Sequence, residues 1–197
     1  MTWIPTYTGR RFSLVEPDPA DVNIEDIAHG LSNLCRYTGQ PRFFYSVAEH
    51  ALRCSEQFDD DELAFEALMH DAHEAYVGDC SRGMKQSMRT HVSDPMDPCT
   101  FDAVERRIDA CIRHTYGMKP VIPSAVHRVD MRICRNEQAA LFPQFDGTQW
   151  TGADDKYPPL TDCLIAGLVP VRAKFDFLDR FYALRGDGPL DRAVLPK

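Results

Sequence analysis

No two of the seven cysteines form a CxxC pair, and their number is odd. With no signal-peptide pattern over Met1–Arg10, this predicts reduced thiols in a reducing, cytoplasmic compartment, most of them small buried apolar residues. Long hydrophobic runs are missing as well. The longest, around Cys163–Pro170, is far too short to cross a membrane. Positive charge is in deficit: 22 basic against 30 acidic residues give a net charge of −8 and a pI near 5.3. An acidic surface repels phosphate backbones, which argues against a nucleic-acid polymer as partner. A small phosphorylated ligand stays compatible, because an ion or a few local Arg and Lys residues override the global field. Walker loops, GxSxG elbows and Cys-His pairing signatures are all lacking. Val77 stands where an HExxH motif beginning at His73-Glu74 would need its second histidine.

Neither an internal repeat nor a low-complexity linker divides the 197 residues, so one domain over 1–197 is expected. Hydrophobic residues make up 44% and charged residues 26%, enough for a packed core. Thr6–Phe12 reads as a short extended pair turning at Gly9. Asn23 caps a helix carrying Ile24, Ile27, Leu31 and Leu34, which the spacing extends to Arg36-Tyr37. A second helix is predicted over Ser46–Phe58. A third is capped by Asp59-Asp60-Asp61 and runs to Tyr76, with Gly78 as breaker. Further helical patterns cover Phe101–Tyr116, Ser124–Phe142 and Val171–Leu184, and Gly147–Thr161 reads as a loop. The fold class is all-α, with a short extended N-terminal segment.

Four residues stand out within apolar helical text: His50, the pair His70-Asp71, and Asp130. A buried carboxylate demands a cation or a hydrogen-bond network. Two imidazoles and two carboxylates around one divalent transition metal (Co, Mn, Zn, Ni or Fe) would satisfy all four together. Taken singly, each is equally a core histidine, a cap or a surface charge, and spacing alone leaves both readings open.

The surrounding text adds to this. Phe44-Tyr-Ser-Val-Ala-Glu-His50, then Ala67-Leu-Met-His70-Asp71-Ala-His-Glu74-Ala-Tyr-Val-Gly78-Asp79, then Val126-His-Arg-Val-Asp130 resembles the HD-domain phosphohydrolases. Within them it is similar to bacterial 5'-deoxynucleotidases and to phage dATP triphosphohydrolases, and the resemblance spans nearly the whole chain. It implies an HD-domain helical bundle, often a homo-oligomer, with His50, His70, Asp71 and Asp130 as metal ligands. It also implies hydrolysis of 5'-phosphate groups on a small-molecule deoxynucleotide, with Mg an added cofactor for a polyphosphate. Monophosphate and triphosphate substrates both stay open. The alternative is a non-catalytic nucleotide-binding or assembly protein on the same fold.

Glu74, four residues after His70, falls one helical turn along the same face and is the expected proton-handling group. The resemblance gives Asp79 the sugar 3'-hydroxyl, Arg36 the phosphate, Tyr37 the base or sugar, and Lys85 a second phosphate contact. A guanidinium fork suits phosphate oxygens. The residue-level alternatives are a C-terminal turn for Gly78-Asp79, a helix-end Arg, a core-edge Tyr and an exposed helical Lys. Departures from the pattern include His73 in place of a small residue, read as outward-facing, and His127 in place of a Lys. Ser81 and Gly83 replace common prolines. Glu137, two turns after Asp130, is weighed as a supporting group behind the ligands, with a surface charge the favoured reading.

Overall fold

The computed structural model describes residues 2–89, 100–144 and 156–186. It opens with an antiparallel hairpin, β1 (Trp3–Pro5) and β2 (Arg11–Ser13), in which Ile4 pairs with Phe12. The turn is pinned to the first helix, α1 (Ile24–Asn33), because the Thr8 amide and hydroxyl donate to the two oxygens of buried Asp26 at 2.6 and 2.8 Å. Phe12 is fully buried and stacks on Tyr76 at 3.7 Å between ring centroids.

Helices follow: α2 (Val47–Ser55), α3 (Asp61–Met69), α4 (Glu74–Val77), α5 (Arg82–Arg89), α6 (Phe101–Tyr116), α7 (Ser124–Leu141) and α8 (Pro170–Arg185). The all-α expectation holds, and the hairpin is the only sheet among the described residues. Several starts follow from side-chain caps. Asn23, Ser46, Asp60 and Thr100 accept from the amides of Glu25, Glu49, Leu63 and Ala103. Gly117 ends α6 in a left-handed conformation. Among the described residues no helix is long and apolar enough to cross a membrane.

The core is made where α1, α2, α3 and α8 pack together, through Ile27, Leu31, Val47, Ala51, Leu68, Phe177 and Phe181. Each large apolar side chain removed from water here contributes about 1.5–3 kcal/mol. α7 packs across α2 and α3. Below it, Glu66 of α3 and Arg113 of α6 form a fully buried ion pair at 2.9 Å. The Lys119 amide also donates to Glu66, and Arg113 donates to the Lys119 carbonyl.

Beyond α2 ending at Ser55 rather than Phe58, three larger features differ from the sequence reading. α1 stops at Asn33, and Arg36–Gly39 is a separate 3-10 turn in which Tyr37 and Thr38 take φ of 54° and 57°. Second, the third helix is broken. After Met69 the backbone tightens: the Ala72, Glu74 and Tyr76 amides each reach the carbonyl three residues back, before α4 resumes. Third, α5 was not anticipated. Its only apolar side chains, Met84 and Met88, are exposed, and two residues make too short a pattern to read. Of the expected loop, 147–155 lies outside the described residues, while 156–161 has no helix or strand.

Candidate metal centre

The break after Met69 sets the site. It turns His70 and Asp71 out of the α3 spiral toward α2 and α7, which carry His50 and Asp130. A ring nitrogen of each histidine, a carboxylate oxygen of Asp130 and the Cys54 sulfur all lie within 4.8 Å of one another. His50 Nε2 stands 3.2 Å from Asp130 Oδ1 and 3.8 Å from Asp71 Oδ2, and His70 Nε2 is 3.1 Å from Asp71 Oδ2. Three of the four residues singled out in the sequence thus share that donor set with Cys54, and Asp71 lies beside it against both histidines.

The ring orientations are fixed from behind. His70 Nδ1 is 2.8 Å from the Ala67 carbonyl, and His50 Nδ1 is 2.6 Å from Glu137 Oε1. Each Nδ1–H donates backward, so each Nε2 is directed at the cluster, the arrangement typical of ligating imidazoles. His70 Nε2 is buried and has no hydrogen-bond partner among the described residues, its approach to Asp71 lacking the alignment of one. That orphaned nitrogen, with a mixed N/O donor set, fits a divalent transition metal.

Charge balance points the same way. Burial opposes charge on every member, and Arg36 opposes it further on His50. Cys54, Glu137 and Asp130 around His50, and Asp71 and Asp130 around His70, nevertheless hold both imidazoles above their usual pKa. In turn the histidines hold Asp71 and Asp130 below the carboxylate range, with Arg36 adding to the pull on Asp71. The cluster favours positive charge, which a divalent cation would supply in place of imidazole protons.

Glu137, expected at the surface, is fully buried. Besides His50 it accepts from the Tyr37 hydroxyl and lies 3.3 Å from Arg36 Nη2. Burial opposes its charge, but the Arg36 guanidinium and His50 hold its pKa down at about 2. Seven residues past Asp130, it shares that residue's face of α7, the signal that would have found it.

Glu74 begins α4 at the rim, 5% exposed, with Oε2 lacking a partner among the described residues. Burial and then the carboxylates of Asp71 and Asp79 push its pKa well above the ordinary range, against Arg36 and Lys85. α4 owes its position to Gly30: a Cβ there would meet Ala75 Cβ and carbonyl oxygen at 2.9 Å.

Arg36 is buried, 3.6 Å from Asp71 Oδ2, and its Nε has no hydrogen-bond partner among the described residues. Its guanidinium carbon lies 5.2 Å from the centroid of the Tyr37 ring. Asp79 Oδ2 accepts from the Tyr37 amide at 3.3 Å, tying the segment after Gly78 to the 36–39 turn. Lys85 sits apart, 2.8 Å from Glu105 of α6. His73 is not outward-facing. It packs toward α6, 3.6 Å from the same Glu105 carboxylate.

Two cysteines also border the cluster. Cys54 Sγ is 3.6 Å from His50 Nε2, and Cys134 Sγ is 3.6 Å from Asp130 Oδ1. Each follows its ligand partner by four residues on one helix, a spacing the sequence displays but which the absence of CxxC pairs obscures. Of the six described cysteines all are free, and Cys54 and Cys111 are buried. Cys99 and His91 lie outside the described residues.

No family model matches the chain. It is 36% identical over 182 residues to the uncharacterized protein YfdR of Escherichia coli, covering 92% of this chain and 94% of that protein. An uncharacterized protein of Rhodobacter capsulatus is 31% identical over 191 residues, covering 88% and 91%. At this identity, aligned over most of both lengths, the chain belongs to the family that contains YfdR.

Proposed function

We propose that this protein is a metal-dependent phosphohydrolase of the HD type that removes 5'-phosphate groups from deoxynucleotides in the cytoplasm. The observation that carries this reading is the gathering of His50, His70 and Asp130, with Asp71 Oδ2 3.1 Å from His70 Nε2 and with Glu74 and Arg36 beside them. A divalent ion held by those four residues would supply Lewis acidity toward a phosphoryl oxygen and acidify a water. Glu74, whose burial beside Asp71 and Asp79 favours its protonated form, would deliver a proton to the departing 5'-oxygen. Arg36 offers its fork to the phosphate oxygens. Asp79 accepts the sugar hydroxyl, and the Tyr37 ring borders the nucleoside. The two cations that bear on Glu74, Arg36 and Lys85, already pair with carboxylates, which supports a monophosphate over a triphosphate.

The test is release of phosphate from dAMP against triphosphate from dATP by protein loaded with Mn or Co. Hydrolysis is expected in the wild type and lost in His70→Ala, together with bound metal. Nucleotide binding without hydrolysis under each divalent ion would overturn the reading.

A further inference from the structure

We propose that Cys54 Sγ is a further metal ligand, so that the centre carries a thiolate and favours zinc, cobalt(II) or iron(II) over magnesium or manganese. This rests on the metal centre argued above and adds a donor to it from this chain's own residues.

Cys54 lies one turn after His50 on the same face of α2 and is fully buried. Its sulfur belongs to the set of four donor atoms that are mutually within 4.8 Å, whereas Cys134 does not. The individual spacings match a common ion. With the usual metal–nitrogen, metal–oxygen and metal–sulfur distances and angles of about 90–110°, neighbouring N and S donors stand about 3.1–3.6 Å apart and N and O donors about 2.9–3.4 Å. His50 Nε2 is 3.6 Å from Cys54 Sγ and 3.2 Å from Asp130 Oδ1. Independently, His70 Nε2, on a residue only 4% exposed, is aimed into the same space without a hydrogen-bond partner among the described residues. The competing explanation is a thiol that merely packs against Ala67, Val126 and Ile133. That explanation, with a thiol hydrogen bond to His50 Nε2, accounts for the burial and the 3.6 Å approach but not for the gathering of Asp130 and His70 in the same four-donor set. Ligation forms one sulfur–metal bond, breaks the S–H bond and releases its proton to solvent. A soft thiolate then biases selection away from hard oxygen-seeking ions.

Cobalt(II) titrated into the metal-free protein reads this directly. A thiolate-to-cobalt charge-transfer band in the near ultraviolet is expected in the wild type and in Cys134→Ser. It is expected to vanish in Cys54→Ser, while the visible d–d bands of bound cobalt persist. Zinc affinity of Cys54→Ser should fall on the order of tenfold or more, with manganese affinity nearly unchanged. X-ray absorption at the metal edge of the cobalt-loaded wild type needs no variant and should show a sulfur neighbour. Cobalt bound with neither band nor sulfur neighbour overturns the Cys54 assignment and leaves the metal centre standing. Failure of the wild type to bind cobalt overturns both.

Discussion

Glu137 Oε1 lies 2.6 Å from Nδ1 of His50, and both side chains are fully buried. One carboxylate thus holds the imidazole tautomer, receives the Tyr37 hydroxyl and faces the Arg36 guanidinium. It acts as a positioning residue for three groups of the site at once. Glu137→Gln keeps the shape but presents only one acceptor oxygen and no charge. Zinc affinity, measured by chelator competition, should drop about 10–100-fold, as for other supporting groups behind ligating histidines. An unchanged affinity would mean that His50 needs no such support.

The same carboxylate governs acid stability. Its pKa falls from an ordinary 4.5 to about 2 in the folded chain. A depressed carboxylate contributes stability that is complete above its unfolded pKa and is lost as pH falls through its folded one. The shift corresponds to about 3 kcal/mol for a fully buried group. The wild type minus Glu137→Gln difference in unfolding free energy, taken on metal-free protein, should be largest between about pH 5 and 6.5, shrink toward pH 2, and shrink again at high pH as His50 loses its proton. His50 has the opposite sign, its raised pKa giving stability lost as pH climbs, so it leaves the acid window undisturbed. A difference independent of pH would contradict this assignment.

The helices with a capping side chain and a terminal glycine, such as Thr100 to Gly117 around α6, were legible to the residue. The break between α3 and α4 was not. Ala64, Ala67, Leu68, Ala72 and Tyr76 are all buried and keep a helical rhythm across it. Periodicity reports which residues face the core, not which carbonyl each amide reaches. Tyr37 and Thr38 enter the left-handed region without the glycine or asparagine that normally signals it. His50 and His70 sit on the core-facing sides of their segments, as the apolar context revealed, with Asp71 and Asp130 half-buried beside them. Glu137 escaped because a lone Glu among Arg135, Asn136 and Gln138 looks solvated, and only the partners on α2 and the 36–39 turn explain its burial.

Glu74→Gln should lower kcat on the order of 10²–10⁴-fold while leaving metal content intact, since a positioned general acid contributes that much. The raised pKa of Glu74 fixes the sign of the pH dependence. The acid form is the working form, so wild-type kcat/KM should decline as pH rises through that pKa. In Glu74→Gln this limb should disappear, because the amide does not titrate. A surviving limb of the same position would assign the proton to another group.

Gly30 separates α1 from α4 by the width of a hydrogen. A Cβ there meets the Ala75 backbone oxygen at 2.9 Å, and backbone cannot rotate away. Overpacking outweighs the helix propensity that alanine adds, giving a net loss of about 1–2 kcal/mol for Gly30→Ala in urea denaturation. Because Ala75 adjoins Glu74, the variant should also lose activity at temperatures where it is fully folded. Lost stability with full activity would show that α4 can shift without moving Glu74.

Glu49, the residue before His50, uses both carboxylate oxygens on the segment leading into α8. The Ala166 and Gly167 amides donate to Oε1 at 2.8 and 3.1 Å, and the Leu168 amide donates to Oε2 at 2.6 Å. Gly167, at φ 71°, lets this loop pass Phe43, whose ring a Cβ would meet at 2.7 Å. The carboxylate is fully buried, so Glu49→Ala strands three amides and also removes the partner 3.6 Å from Arg53. Hydrogen bonds to a charged acceptor are each worth about 1.5–3 kcal/mol and do not add fully, so a loss of about 2–4 kcal/mol is expected. Hydrogen exchange distinguishes this latch from a general loss of packing. Protection should fall first at 166–168, with the α2 amides around His50 retaining theirs until global unfolding. Uniform loss across α2 and 166–168 would make Glu49 a support of the metal helix itself rather than a clasp for the loop.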